Sequence, residues 1–386
     1  MRFIAWLLSA MILIQCDGGD SIRPDEKALT ETKGMSGFEK GVYYYLRSGP
    51  KGYLLAMREF KKILKASPRH ARGYAMLSLC HSRFGQHLYL MNKSERANEN
   101  YKKAKLLADY SIKLKPDLAR GYVALALHSR QVGDWPALYR HAKKAIKLDK
   151  SEYEAHTLLG DGYSREFLGR KWDYEKSLGH YSRALELKGD FLPARYNLAL
   201  LHFAKGQFKK SVAELKLAIK IRPENASFYY YLALSHKRLK DYKDSLSMIQ
   251  RAIALDKSNA FYHDMEGQVF SCMGESEKAV QCYKVAISKD GKQAQFYYRM
   301  ALEYSKLGRK RLSVRLFRKS IELDGKYDMP HYAMAVLLEE MKYYKLAIGE
   351  YQAFIRLSVS AGLMEKARER LGILKKLVAS KANKSM

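Results

Sequence analysis

Small side chains recur along this chain at a constant step. Ala199, Ala233, Gly267, Ala301 and Ala335 follow one another every 34 residues, and Ala218, Ala252 and Ala286 form a second ladder with the same step. Between the rungs, apolar residues return every three or four positions, and Gly or Pro interrupts them at intervals. Such spacing predicts amphipathic α-helices, and a fixed period of this length predicts pairs of helices that bury one face on the next pair. No strand-like alternation stands out, so the fold class expected is all-α.

With the first residue of each unit as position 1, nine units begin at Gly37, Ala71, Ala119, Tyr153, Leu192, Ala226, Ala260, Ala294 and Asp328. Positions 8, 20 and 27 are small where positions 7, 11 and 24 are large. The seventh unit has Gly267, Ala279 and Ala286 beside Phe270 and Tyr283, and the eighth has Ala301 beside Tyr297, Tyr304 and Phe317. Pro68, Pro116 and Pro223 fall at position 32, where a helix must end. This pattern resembles the tetratricopeptide repeat. The resemblance implies a right-handed α-solenoid of about nine helical hairpins over 37–361, with a capping helix and tail over 362–386. Ala367, Leu371, Leu374 and Val378 mark the inward side of that cap.

Two units exceed the period, with insertions near 86–99 and 165–173 that are expected in hairpin loops. The first contains Leu88, Tyr89, Leu90 and Met91, too apolar for a bare solvated loop. It either folds onto the array or meets a partner, which makes these four residues a candidate accessory loop.

The N-terminus carries an address. Arg2 precedes an uncharged apolar run from Phe3 to Ile14, shorter than the roughly 20 residues a spanning helix needs. The run ends at Cys16 and the polar Asp17-Gly18-Gly19-Asp20, which reads as a secretory signal. The cysteine at this boundary resembles the lipobox of bacterial lipoproteins, with Gln15 standing where that family has a small residue. The resemblance implies cleavage after 1–15, lipidation of Cys16 and an exported protein anchored to the bacterial cell envelope, on its periplasmic face or at the cell surface. An ordinary cleaved signal and an uncleaved anchor fit the same run, and all three place the repeats outside the cytoplasm. Residues 16–36, rich in Gly, Asp, Ser and Thr, are expected to form a flexible tether.

The net charge of +30 and the 29 tyrosines raise the question of nucleic acid. Their positions argue against it: many tyrosines fall at packing positions, and lysines such as Lys209, Lys210, Lys216 and Lys220 are scattered over the helices. Catalytic chemistry finds no foothold either. His156, His263 and His331 fall at position 4 and His81, His202 and His236 at position 11, both aromatic packing positions of the family. Cys80, Cys272 and Cys282 form no CxxC pair and read as buried or inert thiols. The expectation is a non-enzyme with no cofactor and no metal.

At 100° per residue, positions 2, 5, 9 and 12 of each first helix share a second face. In tetratricopeptide arrays that face lines the ligand-holding groove. Here it carries Tyr196, Leu200, Tyr230, Leu234, Asp264, Gln268, Tyr298, Leu302, Tyr332 and Val336, an aromatic and apolar stripe with a polar interruption. Tyr196 with Leu200 and Tyr230 with Leu234 replace the Lys and Asn of the chaperone-binding clamp, so capture of an acidic C-terminal tail is not implied. The function expected is a membrane-anchored scaffold that binds a peptide or helical segment of another protein, in envelope assembly, secretion or proteolysis. The alternative is a surface lipoprotein whose basic convex side binds anionic glycan or lipid headgroups.

Overall fold

The computed structural model describes residues 24–47, 49–164 and 172–383. The segment 1–15, Cys16 and most of the insertion near 165–173 lie outside the described residues.

The chain divides into two compact units, up to Gly206 and from Gln207. The first holds α1 (Glu26–Glu31), α2 (Gly37–Leu46), α3 (Pro50–Ala66), α4 (Ala71–Leu90), α5 (Ser94–Leu114), α6 (Ala119–Val132), α7 (Trp135–Leu148), α8 (Tyr153–Tyr163), α9 (Tyr174–Leu187) and α10 (Leu192–Ala204). The second holds α11 (Phe208–Ile221), α12 (Ala226–Arg238), α13 (Tyr242–Leu255), α14 (Ala260–Cys272), α15 (Ser276–Lys289), α16 (Ala294–Lys306), α17 (Lys310–Leu323), α18 (Asp328–Glu340), α19 (Tyr344–Leu357) and α20 (Ala361–Asn383). The fold is all-α, with helices in consecutive pairs and no strand among the described residues. Each of the nine unit starts read from the sequence is the first residue of a helix.

The repeat positions explain the packing. Ala199, Ala233, Ala301 and Ala335 have no exposed surface, and neither do Ala218, Ala252 and Ala286. Gly160 and Gly267 occupy the same rung for a steric reason. A Cβ on Gly160 would lie 2.5 Å from the Tyr181 ring, and one on Gly267 would lie 2.6 Å from Tyr283, closer than packed atoms approach. Large side chains then fill the space beside these contacts, as Tyr74 of α4 does edge-on to Tyr110 of α5 within one pair, at 4.7 Å between ring centroids. In the last repeats, Phe317, Tyr351 and Phe354 are buried in one cluster with Ala367 and Leu374 of α20.

The structure revises two sequence expectations. The insertion near 86–99 is not a loop: α4 and α5 run 20 and 21 residues, against 13 and 14 in a regular repeat such as α12 with α13. The extra residues lengthen both helices because Leu88, Ala97 and Tyr101 keep helical spacing and bury against Phe84. Leu88 is therefore a packing residue, whereas Tyr89, Leu90 and Met91 remain exposed. Part of the expected tether is also helical. In α1, Asp25 caps the first turn, its Oδ1 accepting from the Ala28 backbone N–H at 2.8 Å, and Ala28 is buried. No helix among the described residues is long and apolar enough to cross a membrane.

Candidate partner-binding site

The first unit contains an open cavity of about 1140 Å³. Its first wall comes from the lengthened hairpin, where Tyr89 and Leu90 of α4 are 59% and 74% exposed and Asn98 and Tyr101 of α5 stand beside them. Leu200, Leu201 and Ala204 of α10 form the facing wall, with Trp172 next to them. Val132 and Trp135 line it at the turn between α6 and α7. Two groups singled out in the sequence, Leu200 of the stripe and Tyr89 with Leu90 of the insertion, are thus brought to one place.

A polar cluster forms the floor. Asp161 of α8 is 6% exposed and pairs with Arg130 of α6. Its Oδ1 accepts from the Tyr181 hydroxyl at 2.7 Å and from Asn197 Nδ2 at 2.6 Å. Arg130 also donates to Gln86 Oε1 at 3.0 Å, and Gln131 Nε2 donates to the Ser82 carbonyl at 2.6 Å. Burial, and then the Asp161 charge, push the Tyr181 hydroxyl well above its ordinary range, so it stays protonated and donates. The carboxylate therefore ties three consecutive first helices, with Arg130 at position 12, Asp161 at 9 and Asn197 at 6 of successive units. Sequence reasoning missed Arg130 and Asp161, although opposite charges at positions 12 and 9 of neighbouring units already share the second face.

The second unit repeats this logic. Lys237 Nζ at position 12 donates to Gln268 Oε1 at 2.6 Å, Gln268 Nε2 donates to Asp264 Oδ2 at 2.8 Å, and Arg299 at position 6 donates to the same oxygen at 2.5 Å. Asp264 is 3% exposed, and burial raises its pKa against the opposing pull of Arg299. Burial likewise lowers that of Lys237. Asp264 and Gln268 are thus joined in the fold to cations of the flanking repeats.

The rest of the stripe is half-buried. Tyr230 packs on Tyr231 and Tyr262, Tyr298 on Phe317 and Tyr327, and Tyr332 on Tyr351 and Phe354. Leu234, Leu302 and Val336 lean on the buried clusters of their repeats. Tyr196 is also half-buried, and the structure does not bring it to the cavity that Leu200 lines. For Tyr298 and Tyr332 the second helices of their own repeats, through Phe317, Tyr351 and Phe354, and for Tyr230 the ring of Tyr262 in the next repeat, thus cover much of this aromatic face.

Of the histidines, His81, His202 and His236 are buried, while His156, His263 and His331 are half-buried. Cys80 is buried, Cys282 donates to Glu266 Oε2 at 3.4 Å, and Cys272 is exposed. Its position ends α14, where the turn leaves it uncovered. Among the described residues, no group of three His, Cys, Asp or Glu side chains is placed to hold a metal ion.

Residues 200–240 match a family model described as "TPR repeat", and residues 294–327 match one described as "Tetratricopeptide repeat". In these two segments the chain carries tetratricopeptide repeats. The second match begins at Ala294, the first residue of α16. Repeats of this kind stack into extended binding surfaces and serve as protein interaction scaffolds. Among solved structures, yeast Tom70 superposes with a TM-score of 0.50 at 12% identity, over 96% of this chain and 96% of that one. YrrB, described as a TPR protein with an unusual peptide-binding site, is 20% identical over 50% of this chain and 96% of its own, with a TM-score of 0.41. MamA is 24% identical over 40% of this chain and 90% of its own, with a TM-score of 0.38. No curated protein sequence matches this chain.

Proposed function

We propose that this protein is a non-catalytic adaptor, exported and held at the bacterial cell envelope by a lipid on Cys16, that captures a peptide or apolar segment of a partner protein on its first-helix faces. Envelope assembly, secretion or proteolysis is the setting such an adaptor serves. The observation that carries the reading is the cavity of the first unit, where apolar walls from α4 and α10 stand open above a self-neutralised polar floor. Open apolar surface of this kind is uncommon unless it is a contact site. The anchor reading rests on the apolar run that ends at Cys16.

A photo-reactive residue placed at Leu200 in cells tests the binding role, and mass analysis of the mature N-terminus tests the anchor. A polypeptide adduct at Leu200 is expected, together with an acylated Cys16 that Cys16→Ser abolishes. Adducts containing glycan or lipid alone would favour the polyanion reading, for which the exposed Lys209, Lys210, Lys216 and Lys220 speak. Ionic strength separates the two, since polyanion binding collapses with salt and apolar docking persists.

A further inference from the structure

We propose that the cavity of the first unit selects an uncharged peptide segment bearing one large apolar side chain, an inference that rests on the adaptor reading above. Charge is the first argument. The chain carries a net charge of +30, yet among the described residues lining the cavity the charged ones are Arg130 and Asp161, and they neutralise each other. An acidic or basic segment entering it would lose hydration, and neither Arg130 nor Asp161, each already paired with the other, would offer it a free counter-charge. The surface charge of the protein and the chemistry of its cavity therefore point to different ligands.

Two unpartnered polar atoms provide the second argument. Gln131 Oε1 and Trp172 Nε1 belong to lining residues, are buried, and have no hydrogen-bond partner. Each is held in place. The Gln131 amide is oriented by the bond from its Nε2 to Ser82, and the Trp172 indole is fixed edge-on to Tyr174, with Lys205 over its face. One is an acceptor and the other a donor, and neither has exposed surface, so the N–H and C=O of a peptide backbone would match them where the lining side chains part to admit it. A hydrocarbon chain offers neither and would leave both unpaired. The apolar remainder, Leu90, Val132, Trp135 and Leu200, is suited to a large aliphatic or aromatic side chain. Leu90 takes part because the inserted residues lengthen α4, so the specificity belongs to this chain's insertion and not to the repeat itself.

The test uses the full chain and its own tryptophans. Trp135 and Trp172, two of three in the sequence, line the cavity, so their emission reports occupancy. The probes are short peptides with a Gly, Ser and Thr frame and one central Phe or Leu, the same peptides with Glu or Lys beside that residue, and palmitate and heparin as non-peptide competitors. The uncharged peptides are expected to shift the emission saturably, and a neighbouring charge to weaken them about tenfold or more. Leu90→Arg, at a position exposed enough not to disturb folding, is expected to weaken them about tenfold, and Trp172→Phe by about threefold to tenfold. Equal binding of charged peptides, competition by palmitate without any peptide binding, or an affinity unchanged by Leu90→Arg would each overturn the proposal. Peptide binding insensitive to Leu90→Arg would leave the adaptor reading intact, whereas failure to capture any polypeptide at Leu200 in cells would remove that reading itself.

Discussion

At the scale of single residues, position 15 of the repeat shows how strictly the backbone constrains sequence. The turn that joins the helices of a pair uses a left-handed residue there, and Gly133, Gly206, Gly274 and Gly308 supply it with φ between 74° and 80°. Lys240 and Lys342 occupy the same position with φ of 67° and 62°, a conformation in which a Cβ crowds the backbone. Lys240→Gly and Lys342→Gly are each expected to stabilise the protein by about 0.5 to 1 kcal/mol, the relieved crowding less the greater unfolded-state freedom of glycine. Thermal midpoints, with hydrogen exchange at the α12–α13 and α18–α19 turns, measure this. A lower midpoint in either variant would mean that the lysine side chain contributes more than its backbone costs.

At the scale of elements, the buried carboxylates act between helices. Asp161 receives donors from α6, α9 and α10, so one side chain couples three consecutive repeats. Asp161→Asn keeps the shape but leaves Arg130, 18% exposed at its side chain, without its ionic partner. The expected loss is about 2 kcal/mol, in the range of a hydrogen bond to a charged group. Faster hydrogen exchange is expected together in α6, α8 and α10, the first helices of the three repeats that this carboxylate joins. Exchange that rises in α8 alone would show that the carboxylate does not couple the repeats. The lengthened α4–α5 pair makes a related point: an insertion that keeps helical spacing extends the elements and builds a wall, where one without spacing makes a loop.

At the scale of the whole molecule, charge dominates. With 70 Lys and Arg against 40 Asp and Glu, like charges repel across the folded surface and are screened only weakly at low ionic strength. Raising the salt concentration from about 0.02 M to about 0.3 M is therefore expected to raise the thermal midpoint by a few degrees, about 2 to 5 °C. A midpoint that falls with salt would instead assign net stability to ion pairs such as Arg120 with Glu152 and Glu154, which are 3.1 and 2.7 Å apart.

The sequence by itself determined the repeat, because the period records a steric requirement met again at every pair. Small residues stand where helices touch, large ones fill the adjacent space, and all nine unit starts coincide with helix starts. The stripe at positions 5 and 9 was legible too, as a phase on a helix. What it does was decided only in three dimensions. A helical phase specifies direction but not cover: the next repeat covers Tyr230, and the second helices of their own repeats cover Tyr298 and Tyr332, while Leu200 is left beside open space. Asp161 and Arg130 are 31 residues apart, so only their shared helical face points to the pair, and Asn197 and Arg299, isolated in the sequence, each bond a buried carboxylate. The cavity depends on helices from four hairpins meeting at one place, a long-range arrangement that no local pattern encodes.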